Sequence, residues 1–365
     1  MGGGGSKEKS SSGEEKIKSP ATPKVNKSRK QKKANVKQQF QVPLFGCAGA
    51  GKSTVFKALR IAKLSGFDEH ERIVYGKKMK RAIMQMLSSM LEKIPAESLD
   101  GCTEQDVAQI TRLASIEDLD AEEFDSGDIL GIAKRFVSGK MIKDILSSSE
   151  LTTSSLHLMD NAENMCTPSY KATDADILRF REPTRTKDFL VYDINDTATM
   201  IIHDFGGHRH LRDTWQKFAD ENKENVKLII MVVALDSYLE DVGGMNDATQ
   251  NKMKEAFFLL NMLINNIYKG ADAAVFLNKV DLFQGALDKN CDLEACLGGG
   301  EYTGGANVTA AREYIVNYGK HQCGEKYDCV QFHNICGIDV EIVEKIVHGV
   351  EQSLVKSVLS SMGFI

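Results

Sequence analysis

Residues 46–53 of the 365-residue chain read G-C-A-G-A-G-K-S, which matches the pattern G-x-x-x-x-G-K-[ST]. This pattern is typical of a loop that binds nucleotide phosphates, because small residues let backbone N–H groups converge on phosphate oxygens. We expect Lys52 to reach the β- and γ-phosphate oxygens and the Ser53 hydroxyl to ligate Mg²⁺. The residues assigned to phosphate binding are consecutive: Gly49, Ala50, Gly51, Lys52, Ser53 and Thr54.

Apolar residues 42–45 predict a strand before this loop, and the apolar spacing after it predicts a helix whose N-terminus faces the phosphates. Pro43 interrupts the strand pattern. Because proline cannot donate to a ladder of strand hydrogen bonds, it predicts that the first strand is short or bulged here.

A D-x-x-G motif at residues 204–207 follows another predicted strand. Asp204 can hold Mg²⁺ through a water molecule, and the N–H of Gly207 can sense a γ-phosphate. By itself the motif would indicate only a polar strand end. Because it follows the phosphate-binding loop in the chain and comes after a strand, it predicts a magnesium and γ-phosphate site.

An N-K-x-D motif formed by Asn278, Lys279 and Asp281 follows a further predicted strand. The Asp281 carboxylate suits the N1–H and N2–H₂ donors of guanine, which adenine cannot offer. Cys336 and Gly337 follow the next strand and are expected to close the far side of the base pocket. Together these residues predict a pocket that selects guanine over adenine.

The elements that must position these motifs follow from the apolar pattern. Apolar runs predict strands at residues 189–194, 200–203, 228–235, 273–277 and 330–335, with amphipathic helices between them. This alternation predicts an α/β fold with a doubly wound, mostly parallel sheet. Residues 63–175 instead carry helical stripes, such as Ile83, Met86, Leu87, Met90, Leu91 and Ile94.

We therefore predict three parts of the chain. Residues 40–62 and 176–365 form the nucleotide-binding domain, and residues 63–175 form an inserted all-helical domain. Residues 1–39 form a basic, mostly disordered N-terminal extension.

Charge is unevenly distributed along the chain. Residues 1–40 carry eleven Lys or Arg and three Glu, a net charge of +8, so a chain with a formal net charge of −5 has a body near −13. The acidic body argues against nucleic acid as the main partner. The eight cysteines are scattered, which favours a reducing compartment.

The N-terminal sequence M-G-G-G-G-S fits the pattern for N-myristoylation at Gly2. A single acyl chain binds membranes only marginally, and the lysine-rich residues 24–37 can supply a second signal through anionic lipid headgroups. We expect a peripheral protein at the cytoplasmic face of the plasma membrane, cytoplasmic when released.

Residues 176–184, D-I-L-R-F-R-E-P-T, resemble switch I of heterotrimeric G-protein α subunits, and residues 204–215 resemble their switch II. The inserted helical region has the length and position found in that family. The resemblance extends from about residue 40 to residue 365 and is specific, since small GTPases lack both the insertion and the intrinsic arginine. It implies a P-loop, Ras-like GTPase domain with a helical insert.

The resemblance also implies roles for single residues. Arg181 is implied to be an arginine finger supplied in cis, which stabilises charge on the γ-phosphoryl oxygens. Thr184 is implied to join Ser53 as a second side-chain ligand of Mg²⁺.

The nucleotide is implied to contact two further places. The segment around Leu178 and Arg179 is expected to touch the ribose and phosphates. In the helical region Ser154, with Thr153, is expected to reach over the nucleotide.

Several positions depart from the family pattern. His208 replaces the glutamine that orients the attacking water, and a neutral imidazole donates and accepts only through opposite ring nitrogens. Gly49 and Ala50 stand where the family has glutamate and serine, which removes a carboxylate expected to pair with Arg181. The guanine-contacting T-C-A-T of the family is I-C-G-I at residues 335–338.

The function implied is that of a G-protein α subunit: a GTP/GDP switch with Mg²⁺ whose GTP hydrolysis is slowed by His208. Implied partners are a βγ dimer, a heptahelical receptor, effectors and GTPase-activating regulators. One alternative is a nucleotide-binding switch with negligible hydrolysis that signals by exchange. Another is an unrelated P-loop kinase or ATPase, against which the N-K-x-D motif argues.

Overall fold

Aliphatic and aromatic runs form one six-stranded sheet in the part of the chain that the structure describes. The structure is a computed structural model that describes residues 37–92, 103–117, 124, 127–138, 152–182, 188–209, 212–222, 224–241 and 251–361. In chain order the strands are β1 (Gln38–Phe45), β2 (Asp188–Asn195), β3 (Ala198–Asp204), β4 (Leu228–Ala234), β5 (Asp272–Asn278) and β6 (Val330–Asn334).

The strands lie in the order β2-β3-β1-β4-β5-β6. Strand β2 is antiparallel to β3, and all other neighbours are parallel. The described helices are α1 (Lys52–Leu64), α2 (Glu69–Leu91), α3 (Glu104–Ser115), α4 (Gly127–Ser138), α5 (Thr153–Asp160), α6 (Ala162–Met165), α7 (Asp174–Arg179), α8 (Asp213–Asn222), α9 (Lys252–Met262), α10 (Val280–Lys289), α11 (Leu293–Leu297), α12 (Val308–Cys323) and α13 (Val340–Ser361). This arrangement confirms the predicted α/β fold with a mostly parallel sheet.

Strand β4 shows why its sequence is continuously apolar. Ile229, Met231 and Val233 pack into the cluster beneath α9, α10 and α12, whereas Ile230 and Val232 pack into the cluster beneath α1 and α13. A central strand with both faces covered needs apolar residues at every position. The sheet is therefore covered on both sides, as a doubly wound fold requires.

The prediction that β1 is short or bulged at Pro43 is wrong. Eight residues form the strand, and its register with β3 runs without a shift from Gln38 to Leu44. The N–H of Gln41 donates to Asn225, just before β4. Since N–H groups alternate between the two sides of a strand, the missing N–H of Pro43 also lies on the β4 side. On that side β1 pairs with β4 only at Leu44 and Phe45. The hydrogen bond that proline cannot donate is therefore missing only on the β4 side, and pairing with β3 is unaffected.

The helices between α1 and β2 have a hydrophobic cluster of their own. Its members run from Phe67 to Phe180 and include Ile83, Leu87 and Met90, which belong to the predicted helical stripe. Helix α2 ends at Leu91, and the last predicted stripe residue, Ile94, lies outside the described residues. None of the helices in the described ranges has the length and apolar character needed to cross a membrane.

Candidate functional site

The phosphate-binding loop connects β1 to α1, and its shape requires glycine at two positions. Gly46 has φ +146°, and a Cβ there would lie 2.4 Å from the backbone oxygen of Val232. Gly51 has φ +93°, and a Cβ there would lie 2.2 Å from Asn278 Nδ2. Helix α1 follows at once, without a side-chain cap and without an acidic residue in its first turn. The N–H groups at its N-terminus therefore suit an anion.

Lys52 lies buried under this loop. Its Nζ donates to the backbone oxygen of Cys47 at 3.1 Å. Burial lowers the pKa of Lys52, and the nearby Asp204 carboxylate opposes this shift. A Cβ on Gly207 would lie 2.3 Å from Lys52 Nζ, so the D-x-x-G turn packs directly on the loop. Thr54 is half-buried in the first turn of α1.

Two of the three predicted metal ligands lie together. Ser53 Oγ donates to Asp204 Oδ2 at 2.8 Å, while Asp204 Oδ1 is buried and has no hydrogen-bond partner. Burial raises the pKa of Asp204, and the Ser53 hydrogen bond and the Lys52 ammonium partly offset this effect. A buried carboxylate oxygen without a donor beside a hydroxyl is the oxygen-donor environment that Mg²⁺ prefers. The third predicted ligand, Thr184, lies outside the described residues.

Asn278 joins two loops of the predicted base pocket. Its Nδ2 donates to the backbone oxygen of Ala50 at 2.9 Å, and its Oδ1 accepts from the N–H of Gly337 at 2.8 Å. Burial raises the pKa of the Cys336 thiol to about 11, and the neighbouring Asp281 carboxylate, which the thiol also contacts, adds to the shift. The predicted guanine residues from β5 and β6 are therefore brought together.

Lys279 adopts an unusual backbone conformation at the start of α10, with φ +66°. Its Nζ forms an ion pair with both carboxylate oxygens of Asp236, at 2.9 Å and 3.0 Å. Non-glycine residues rarely adopt positive φ, and they do so mostly where surrounding structure imposes it. The ion pair is one contact that holds Lys279 beside the pocket.

Arg181 lies in the loop that follows α7. Its Nη2 is 3.9 Å from the position that a Cβ on Gly49 would occupy, so its guanidinium faces the phosphate-binding loop. Its backbone N–H donates to Ser154 Oγ at 3.1 Å, which brings the predicted helical-domain residue to the site. Thr153 begins the same helix, α5.

Leu178 and Arg179 are placed differently from one another. The Leu178 side chain is buried in the cluster beneath α1, so it packs in the core. Arg179 Nη1 donates to the backbone oxygen of Ala175, one turn earlier in α7. The expected nucleotide contacts of this segment are thus left to its backbone and to the partly exposed Arg179 side chain.

His208 lies on the exposed turn after Gly207, and the residues after it are anchored by Glu255 of α9. Arg209 Nε and Arg212 Nη1 donate to Glu255 Oε1 at 2.7 Å and 3.0 Å. Burial alone would raise the pKa of Glu255, but the two guanidinium groups outweigh it and lower the pKa. Sequence reasoning missed Glu255. The available signal was a carboxylate inside the apolar stripe of α9.

Comparison with known proteins places these motifs in a family. A family model described as G-protein alpha subunit matches residues 19–354. The chain is 28% identical over 290 residues to the guanine nucleotide-binding protein alpha-2 subunit of Saccharomyces cerevisiae, covering 76% of this chain and 62% of that protein. It is 24% identical to the guanine nucleotide-binding protein subunit alpha of Coprinellus congregatus, covering 92% and 93% of the two chains.

A third relative is the guanine nucleotide-binding protein alpha-9 subunit of Dictyostelium discoideum, 24% identical over 92% of this chain and 95% of that protein. The chain thus spans less than two thirds of the yeast relative and nearly all of the other two. Since the family model covers most of the sequence, the chain belongs to the G-protein alpha subunit family.

Proposed function

We propose that this protein binds GDP and GTP with Mg²⁺, acts as a switch between the two nucleotide states, and hydrolyses GTP slowly. The observation that carries the proposal is the convergence of four sequence segments on the phosphate-binding loop. Lys52, Asp204, Asn278 and Arg181 come from four distant segments and all lie at the phosphate-binding loop or contact it.

Different residues are proposed to bind the nucleotide, to hold Mg²⁺ and to stabilise the transition state. Backbone N–H groups of the loop and Lys52 would bind the phosphates, and Asp281 would accept hydrogen bonds from guanine. Arg181 would stabilise the charge that develops on the γ-phosphoryl oxygens. Ser53, Asp204 and Thr184 would hold Mg²⁺, which when bound neutralises charge on the β- and γ-phosphates.

His208 is the residue proposed to slow the reaction. A glutamine amide can accept from the attacking water and donate to a phosphate oxygen from one end of the side chain. A neutral imidazole offers its donor and acceptor on opposite sides of the ring, so it cannot orient water in the same way. The charge-stabilising half of the reaction is still supplied by Arg181.

We expect hydrolysis to be slower than the rate of about 10⁻² s⁻¹ typical of α subunits with their arginine in cis. His208→Gln is expected to raise the single-turnover rate roughly tenfold, which corresponds to about 1.4 kcal/mol in the barrier. Release of radiolabelled phosphate from preloaded protein measures it, with His70→Gln, at an exposed position on α2, as the matched control. A wild type at the family rate that becomes slower in His208→Gln would show that histidine is the adapted residue.

The second candidate function is a switch with negligible hydrolysis that is regulated by exchange or accessory proteins. The observation that favours it is Gly49, which brings no carboxylate to the Arg181 guanidinium beside it. The same single-turnover measurement separates the two functions. Tight binding of GTP with no phosphate release, in wild type and in His208→Gln alike, would support the second.

We further propose that the protein is peripheral on the cytoplasmic face of the plasma membrane and works with a βγ dimer, a heptahelical receptor, effectors and GTPase-activating regulators. Membership of the G-protein alpha subunit family supports these partners. The N-terminal myristoylation pattern and the basic residues 24–37 support the membrane.

Membrane binding is expected to need both the acyl chain at Gly2 and the basic residues 24–37. Each basic residue near an anionic surface contributes about 1 kcal/mol, and salt screens this attraction. Cosedimentation of acylated protein with liposomes should therefore weaken with rising salt and weaken again in Gly2→Ala. Equal binding to neutral and anionic liposomes would contradict a role for the basic segment.

A further inference from the structure

Two lysines contact the ring of Tyr75 where the helical region meets the nucleotide-binding site. Lys57 of α1 and Lys78 of α2 each place Nζ 5.2 Å from the Tyr75 ring centroid, within the range of a cation–π contact. The Tyr75 ring meets Phe180 edge to face at 6.4 Å. Phe180 directly precedes Arg181, so this cluster adjoins the proposed arginine finger.

Lys57 holds the backbone of this segment from the side of α1. Its Nζ donates to the backbone oxygens of Ile177 and Phe180 at 3.1 Å and 2.9 Å. These carbonyls lie at the end of α7, where a cation is favourable. Burial lowers the pKa of Lys57 to about 8, and the Glu182 carboxylate partly opposes this shift.

The helical region holds the same segment from the other side. Lys78 Nζ forms an ion pair with Glu182 Oε1 at 2.8 Å, and both side chains are about one-third exposed or less. Ser154 Oγ accepts the N–H of Arg181 at 3.1 Å. Arg181 is therefore held at its own N–H and at the residue that follows it.

The phosphate-binding loop offers Arg181 no comparable contact. Gly49 is the loop residue beside the guanidinium, and it has no side chain. Its φ of +81° also disfavours any residue with a Cβ, so a carboxylate could not be accommodated there without strain. Among the described residues, the contacts at the Arg181 N–H and at Glu182 come from the helical region, and Lys57 of α1 adds the contact at Phe180.

We propose that Lys78 and Ser154 are positioning residues for Arg181, so that the helical region orients the arginine finger that the phosphate-binding loop leaves unanchored. This inference rests on the proposed function, since it concerns the arginine that stabilises the γ-phosphoryl group. It predicts that the two residues affect the transition state more than the binding of GDP.

The test uses Lys78→Met, which keeps an apolar stem over Tyr75, and Ser154→Ala. Affinity for GDP with aluminium fluoride and Mg²⁺, which mimics the transferring phosphoryl group, is compared with affinity for GDP alone. A partly exposed ion pair or one hydrogen bond contributes about threefold to tenfold, and we expect losses of that size in the fluoride complex. Lys78→Met should leave the affinity for GDP alone at its wild-type value. Ser154 is also expected to reach over the nucleotide, so Ser154→Ala should lower the affinity for the fluoride complex more than the affinity for GDP alone. Single-turnover hydrolysis should slow by the same factor.

Two further variants separate positioning from a general structural role. The double variant Lys78→Glu, Glu182→Lys reverses the two charges. It should restore the affinity for the fluoride complex that either single change lowers. In an Arg181→Ala background, Lys78→Met should have no further effect, because the group it positions is gone. Lys171→Ala, which removes an ion pair with Glu69 of α2 elsewhere in the helical region, is the control and should change nothing.

The outcomes are distinct. Lys78→Met and Ser154→Ala with wild-type affinity for the fluoride complex, or equal losses for GDP alone, would overturn the positioning role while leaving the proposed function intact. Wild-type protein that binds GDP, but neither binds aluminium fluoride together with GDP nor hydrolyses GTP, would overturn both the positioning role and the proposed function.

Discussion

Replacing Arg181 by alanine is expected to slow single-turnover GTP hydrolysis by on the order of 10³-fold, with GDP affinity nearly unchanged. The guanidinium faces the phosphate-binding loop beside Gly49, where the proposed reaction would develop charge on the γ-phosphoryl group. Its loss removes stabilisation that exists only in the transition state, so kcat falls and nucleotide binding does not. Phosphate release from GTP-loaded protein measures the rate.

Arg181→Lys is the matched variant for this prediction. It keeps a positive charge but lacks the planar fork of donors, so it should recover only part of the rate. An Arg181→Ala protein that hydrolyses GTP as fast as wild type would remove Arg181 from the catalytic assignment. It would leave guanine binding untouched.

The Asp281→Asn variant is expected to prefer xanthine nucleotides to guanine nucleotides. In the proposed site the wild-type carboxylate would accept from N1–H and N2–H₂ of guanine, whereas an asparagine amide can donate to the 2-oxo group of xanthine. A site built to hydrogen-bond a substrate group rejects an analogue that lacks it by about 10⁴-fold or more, so the reversal should be large. Competition between GTP and XTP for the variant measures it.

Cys336→Ser is a useful companion variant, because the Cys336 thiol contacts Asp281 in the structure. It should leave the preference for guanine in place, since the carboxylate remains. An Asp281→Asn protein that still prefers GTP would show that another group reads the base. Equal binding of ATP by wild type would instead favour the kinase or ATPase alternative.

The placement of the site was predictable because parallel strands end at the same edge of a sheet. The motifs containing Lys52, Asp204 and Asn278 each follow a strand, and β1, β3 and β5 lie parallel within one sheet. Once the strands are assigned, these polar ends must come near each other. This reasoning needs only local patterns and one rule of topology.

The contacts around the motifs were not predictable in the same way. Glu255 meets two arginines of the D-x-x-G segment, and Lys78 meets Glu182, across more than forty residues of sequence in each case. Such pairs depend on how two helices lie against each other, and the period of an apolar stripe does not define that. The domain boundaries at residues 62 and 175 stay a prediction for a similar reason, since Phe180 packs in the helical cluster beyond the second boundary.

Pro43 shows that a residue preference can also predict an irregularity that the structure does not have. Proline is rare in central strands because it lacks a donor, yet which neighbour loses that donor depends on the register. In β1 the loss falls on the β4 side, where pairing is short, and the β3 ladder is complete. A residue preference alone could not distinguish the two sides.

The fluorescence of Trp215 tests the central claim most directly. It is the single tryptophan of the chain, buried 4.8 Å from Phe45, and its Nε1–H donates to the backbone oxygen of Gly206 beside the phosphate-binding loop. Mixing GDP-loaded protein with Mg²⁺ and GTP should change this fluorescence, and the signal should return more slowly than about 10⁻² s⁻¹ as GTP is hydrolysed. ATP should produce no change. A response equal for ATP and GTP, or no response to GTP in protein that binds it, would contradict a guanine-nucleotide switch.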